Sequence, residues 1–308
     1  MPAVDDIAAD LSRQIEEAVS VVVARKGTDG GIDARKLALA ESAADGFRNL
    51  CRNTVESLPA RTAKDYTADA ELDAKEIFIL DDQASLEELA DLRDLATSAA
   101  TLPVSAPRDL DLSIQFYAVV VGDRSRVLLL RRSDPQIRYR AGKFLAVAGE
   151  QLRRLDEPTF SFAPGFDILV SETWVVVLNQ TAFERLFREL GVIEKHITTW
   201  VTGITDFLPM EAESLAALEQ VARGDSRTWR RLREIHRRGH LADVALSDVR
   251  RYAKGVGLEP NKVVQNGQLV FHPAERFSFL HLLNEDLYTG PLTEETFEAQ
   301  RKSPATTG

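Results

Sequence analysis

Residues 115–131 read QFYAVVVGDRSRVLLLR, and this stretch decides the fold. Two aliphatic, β-branched runs, 115–121 and 126–131, flank Gly122-Asp123-Arg124-Ser125, four residues with turn chemistry. The spacing predicts a β-hairpin. Downstream, 144–148, 159–162, 167–170 and 173–178 are strand-sized apolar runs that extend the hairpin into an antiparallel meander over 111–190. Asn179 is placed to cap a helix through about Leu190, with Phe183, Leu186, Phe187 and Leu190 on its apolar side.

Upstream, residues 1–110 read as an acidic α+β region. Ile7, Leu11 and Ile15 recur four apart on one helical face, and 19–24 (VSVVVA) is too short and too β-branched to prefer helix. Gly27-Thr28-Asp29-Gly30-Gly31 is a turn, a helix runs from Glu41 to about Leu58, and 77–80 is a short strand. Ser85 and Glu88 fit a capping box that opens a helix carrying Leu86, Leu89, Leu92 and Leu95. Downstream of the meander, 191–308 is mostly helical, with helices over about 209–223, 226–238, 247–254, 274–284 and 293–302. Asn266-Gly267, between 262–265 and 268–271, is a strong hairpin signal. The expected class is α+β: a β-meander core between an acidic N-terminal region and a helical C-terminal region.

With 308 residues the chain can bury roughly three quarters of its unfolded surface. Cys51, the single cysteine, excludes an intrachain disulfide or a cysteine-built metal site and reads as a small buried hydrophobe. Asp5, Asp6, Asp10, Glu16 and Glu17 have the wrong charge for a secretory leader. No apolar run approaches the roughly 18 residues of a membrane helix. The expectation is a cytoplasmic protein, peripheral to the inner membrane only through a partner.

The net charge of −10 disfavours a polyanion ligand until its distribution is considered. Residues 1–113 hold 23 acids and 12 bases, whereas 114–308 hold 25 acids and 26 bases. Within 124–154, Arg124, Arg126, Arg131, Arg132, Arg138, Arg140, Lys143, Arg153 and Arg154 face only Asp134 and Glu150, and Tyr139 stands among them as a stacking aromatic. Phosphates demand several cations on one surface, so this is the first candidate DNA contact. The second lies on 226–238. At 100° per residue, Trp229, Leu232, Ile235 and His236 share one arc; Arg227, Arg230, Arg231, Arg233, Arg237 and Arg238 occupy the other. Arg250, Arg251 and Lys254 follow closely in sequence. The plain alternatives are a solvated sheet face balanced by the acidic N-terminal region, and an ordinary amphipathic surface helix.

Catalytic patterns are sparse. Gly27, Gly30 and Gly31 lack phosphate-loop spacing, and no Gly-x-Ser-x-Gly element occurs. His236 and His240 are four apart, but Gly239 between them is set to end the helix, so no metal or cofactor site is assigned. Asp65, Glu71, Asp73 and Lys75 form an acid-x-Lys element with upstream carboxylates, the set a metal-dependent nuclease uses. No catalytic residue is assigned, and the nuclease stays as the enzymatic alternative.

A resemblance narrows the choice. Residues 166–170 (FDILV), 174–179 (WVVVLN) and 183–187 (FERLF) resemble the central pattern of the KwaB-like family of the Kiwa anti-phage system: a strand bearing Phe-Asp, a second ending in Leu-Asn, then a helix bearing Phe-Glu. The hairpin at 116–130 and the end of the chain, 279–286 (FLHLLNED) with Tyr288, Phe297 and Glu298, agree, so the likeness spans about 111–302. Its motifs are aliphatic and aromatic and specify fold more than chemistry. The resemblance implies a homodimer or higher homo-oligomer that binds DNA largely without sequence preference and works beside a KwaA-like membrane protein. An interaction module whose basic patches dock on acidic protein surfaces is the third possibility.

Overall fold

The computed structural model describes residues 2–28, 30–105, 114–132, 138–139, 145–148, 151–154, 159–160, 163–289 and 296–298. For the short strands between 138 and 160, and for those after 286, only the backbone is described. The class is α+β. The chain forms two units, one comprising 1–65 and 72–190, the other 66–71 and 191–308.

The first unit begins with α1 (Val4–Glu17), β1 (Val19–Lys26), β2 (Ile32–Leu37), α2 (Glu41–Glu56), β3 (Thr62–Lys64) and β4 (Glu76–Leu80). It continues through α3 (Gln83–Glu88), α4 (Ala90–Ser98), β5 (Val104–Ser105), β6 (Phe116–Val121) and β7 (Val127–Arg132). After β8 (Arg138–Tyr139), β9 (Leu145–Ala148), β10 (Gln151–Arg154) and β11 (Thr159–Phe160), it closes with β12 (Ile168–Val170), β13 (Val175–Val177) and α5 (Gln180–Glu189).

Nine of these strands form one sheet, in the order β3-β4-β13-β12-β7-β6-β1-β2-β5. The expected hairpin is its centre: Val119 pairs with Leu129 on one side and Val21 on the other. The meander holds as the adjacent run β6-β7-β12-β13. The runs expected to extend it at 144–148 and 159–162 instead pair locally, β9 with β10 and β11 with β8, outside the main sheet. Strands from 1–110 flank the meander on both sides, and only the outermost pairs, β3/β4 and β2/β5, are parallel.

Alternation explains how the core is filled. Val21, Val23, Tyr117, Val119, Val121 and Leu129 point to one face, where they pack with Ile7, Leu11 and Ile15 of α1 and Cys51 and Val55 of α2. Their neighbours Val22, Phe116, Ala118, Val120, Leu128 and Leu130 point the other way and are buried as well. A sheet covered on both faces needs near-continuous apolar strands, which 116–121 and 127–130 supply. Each fully buried Val or Leu contributes roughly 1.5–3 kcal/mol.

Two local expectations for this unit are corrected. Asp82, not Ser85, caps α3: its carboxylate accepts from the Ser85 backbone N–H at 3.0 Å and hydroxyl at 2.7 Å, and Ser85 is buried in the first turn. The helix then breaks at Leu89 before α4. Residues 32–37 (IDARKL), to which the sequence reading assigned no element, form β2 on the edge that β1 offers.

The second unit holds α6 (Val192–Thr205), α7 (Ala212–Gly224), α8 (Ser226–Arg238), α9 (Leu246–Tyr252) and α10 (Pro260–Val263). It continues with β14 (Val264–Gln265), β15 (Gln268–Leu269), α11 (Arg276–Leu283), β16 (Leu287–Thr289) and β17 (Thr296–Glu298). Trp200 of α6 stacks on Trp229 of α8, centroids 6.1 Å apart, at the middle of the bundle. Asn266 and Gly267 both take positive φ, 48° and 74°, the conformation a two-residue type I′ hairpin requires. The helix expected at 293–302 is corrected: Thr296–Glu298 is a strand paired antiparallel with β16, Phe297 opposite Tyr288.

Candidate nucleic-acid interface

Arginines decide this site, so each must be located. α8 forms where expected and ends at Gly239, which takes the left-handed C′ conformation. Its apolar arc is as read: Trp229, Leu232 and Ile235 are buried. The opposite arc is not the solvated surface that periodicity suggests. Arg230, Arg231 and Arg233 are buried too, against the segment 66–71.

Residue by residue, α8 holds that segment. Arg233 lies over the Tyr66 ring at 5.6 Å, and the Glu234 carboxylate accepts from the Ala68 N–H at 2.9 Å. Arg231 donates Nη2 to Asp69, Arg230 donates Nη1 to the Ala70 carbonyl at 2.9 Å, and Arg227 approaches Glu71 at 3.7 Å. Arg231 is only 2% exposed and also donates Nε to Asp286 Oδ2 at 2.9 Å. Asp286 accepts from Asn284 Nδ2 at 2.8 Å and lies 3.3 Å from His281 Nδ1. Arg238 donates to the Asn284 carbonyl at 2.7 Å and pairs with Glu285. Buried cations require such partners, because an unpaired charge in the interior costs several kcal/mol. The reading of Arg230 and Arg231 as phosphate-facing is therefore corrected, since both are committed to the unit's own polar groups. Arg227 and Arg237 remain exposed on the same helix.

The meander arginines divide similarly. Arg131 donates Nη1 to Asp167 at 2.9 Å, and Arg132 makes a forked pair with Glu189 of α5. Asp167 is a junction: its carboxylate also accepts from the Arg132 N–H at 2.9 Å and Asn179 Nδ2 at 3.1 Å, and its carbonyl accepts from the N–H groups of Leu178 and Asn179. Burial pushes its carboxyl above the ordinary value, against the lowering pull of the Arg132 N–H and the Arg131 charge. The Phe-Asp and Leu-Asn elements of 166–179 thus tie β7, β12 and the start of α5 together. Arg124 is exposed on the β6–β7 turn, and Arg126 donates to the Thr97 carbonyl at 2.8 Å. Arg140 and Lys143, with the side chains of Arg138, Tyr139, Arg153 and Arg154, lie outside the described residues.

An exposed cationic group does survive at the end of α9. Arg250, Arg251 and Lys254 are all solvent-facing, and Tyr252, next to Arg251 in the chain, is 60% exposed. The Arg251 guanidinium lies over the Tyr252 ring at 5.6 Å and pairs with Asp248 one turn earlier. Arg250 donates to the Val264 backbone carbonyl at 2.8 Å. Sequence order placed these cations beside α8 and Tyr252 among them, in RRYAK at 250–254, but did not show that the ring stands in solvent. A large aromatic left in water next to three cations was the signal.

Other candidates resolve simply. His240 Nε2 lies 2.8 Å from the Leu283 carbonyl, and His236 packs beside Gly203. Cys51 is fully buried, and burial pushes its thiol up to about 12. Among the described residues no group of three or more His, Cys, Asp or Glu side chains could hold a metal ion. None of the described helices is long and apolar enough to cross a membrane.

The model of one protein family, described as Kiwa protein KwaB-like, matches residues 112–293. No curated protein and no solved structure matches the chain. The match spans β6–β7, the Asp167 junction, all the helices of the second unit and the hairpin at 266–267, well over half the chain. This chain belongs to the KwaB-like family, and with it to Kiwa anti-phage defence.

Proposed function

We propose that this protein is a non-enzymatic DNA-binding component of Kiwa defence. It grips DNA largely without regard to sequence, as a homodimer or higher homo-oligomer. Beside a KwaA-like membrane protein it obstructs replication or transcription of phage DNA. The observation that carries the reading is the exposed cationic end of α9, Arg250, Arg251 and Lys254, with Arg251 over the ring of exposed Tyr252. Phosphate affinity comes from neutralised charge and released counterions, and Tyr252 adds a face on which any base can stack. The Arg251–Asp248 pair is solvent-exposed and contributes no more than about 1 kcal/mol, so a phosphate can take that guanidinium at little cost. Arg124, Arg126, Arg227 and Arg237, which are exposed or half-buried, are further candidate contacts, although Arg227 lies 3.7 Å from the Glu71 carboxylate; Arg131, Arg132 and Arg238 hold carboxylates.

The test is a DNA-binding titration by fluorescence anisotropy over a salt series, with co-purification of a KwaA-like protein as a second arm. Binding whose log affinity falls linearly with log salt is expected. Absence of binding at low salt together with tight self-association overturns the reading in favour of an interaction module. Plasmid incubated with Mg²⁺ or Mn²⁺ should stay intact. Cleavage lost in an Asp73→Ala variant would replace this reading with the nuclease built on Asp65, Glu71, Asp73 and Lys75.

A further inference from the structure

Beside the cationic group, within the second unit, α9 and α11 enclose a cleft of about 500 Å³. That lies within the roughly 300–1,000 Å³ of small-molecule sites. Its walls are of three kinds. Leu241, Val244, Val249 and Val256 are apolar; Asp243, Asp248 and Glu285 are carboxylates; Tyr252 and His281 are rings.

The carboxylates are not equivalent. Asp248 holds Arg251 and accepts from the Ala245 N–H, and Glu285 pairs with Arg238. Asp243 is exposed and has no side-chain partner among the described residues. Both of its oxygens can therefore accept from a ligand.

We propose that this cleft is a nucleotide site that selects an unpaired guanine. The proposal rests on the DNA reading above and deepens it at the adjoining patch. Tyr252 supplies the stacking face and the aliphatic wall the apolar contact. Asp243 supplies the selection. Guanine alone among the four DNA bases carries two adjacent donors, N1–H and N2–H, on its Watson–Crick edge, and they match the two oxygens of a carboxylate. Adenine and cytosine set an acceptor beside their amino group, and thymine flanks its single N–H with carbonyls; each would place a lone pair against Asp243. In a duplex that edge is already paired, so only a single-stranded or extruded base can enter. Arg251, which lies over the Tyr252 ring and pairs with Asp248, both in the wall of the cleft, is the group that meets the phosphate. The ligand class is a guanine nucleotide, free or within a strand.

The experiment uses the full chain and measures affinity for an all-thymine oligonucleotide, the same oligonucleotide with one central guanine, and free dGMP. The guanine-bearing strand should bind about tenfold tighter than the all-thymine strand, as a two-bond base contact provides. Asp243→Asn should erase that preference, and Tyr252→Ala should weaken both strands. Both side chains are exposed, so neither change threatens folding. Asp243-dependent binding of dGMP marks the site as open to free nucleotide; its absence, with the strand preference intact, marks a strand site. Equal binding of the two strands with no Asp243-dependent binding of dGMP, or a preference that survives Asp243→Asn, overturns the proposal. If duplex binding persists in that case, the DNA reading stands without this site. If no DNA binds but dGMP does so through Asp243, the site stands and the DNA reading falls.

Discussion

Arg231 and Asp286 face each other 55 residues apart in sequence, Nε to Oδ2 at 2.9 Å, each side chain 2% exposed. Asp69 closes the same guanidinium from the other side. One cation thus fastens α8 both to the segment 66–71 and to the turn after α11.

Removing the guanidinium strands Asp286 in the interior. Arg231→Ala should cost about 3–5 kcal/mol, the price of breaking a buried pair. Arg231→Lys should recover only part, since one ammonium cannot fork to both carboxylates. Urea unfolding monitored by Trp200 and Trp229 fluorescence measures both variants. A loss for Arg231→Ala below about 1 kcal/mol, the scale of a surface pair, would contradict the buried network.

The exposed patch should behave oppositely. Neutralising Arg250, Arg251 and Lys254 together to Gln should lower the slope of log affinity against log salt by about 2.7 for duplex DNA, roughly 0.9 per phosphate contact. The midpoint of unfolding should hardly move, because these side chains are exposed. An unchanged slope would remove this patch from the interface.

Asp167 yields a pH dependence. Its folded-state pKa is raised by burial above the ordinary 3.8. A raised pKa means that the folded state holds its proton more tightly, so the contribution is complete below 3.8 and is lost as pH rises through the folded value. Asparagine cannot ionise. Asp167→Asn should therefore be less costly near neutrality than near pH 3.8, relative to the parent protein at the same pH. Equal cost at both pH values would mean that the carboxyl is not perturbed.

Cys51 should be inert. The thiol is fully buried and held up to about 12, so almost no thiolate exists at pH 8. Alkylation should be at least about a hundredfold slower in the native protein than in urea, tracking opening rather than thiol chemistry. Native labelling at the denatured rate would place Cys51 outside the core.

Local pattern was enough for the centre of the sheet, the caps at Asn179 and Gly239, and the turn at Asn266-Gly267, because each rests on neighbours within a few residues. It also carried the family likeness, whose residues in 166–179 proved to be strand cores and the Asp167 junction. What the chain alone could not decide was the state of its arginines. Helical periodicity sorts side chains into arcs but cannot tell whether the polar arc meets water or a distant carboxylate. Asp69 lies 162 residues from Arg231, and Arg132 and Glu189 are 57 apart. Only the tertiary structure brings those charges together. It thereby commits several arginines that looked available and leaves exposed the smaller cationic group at the end of α9.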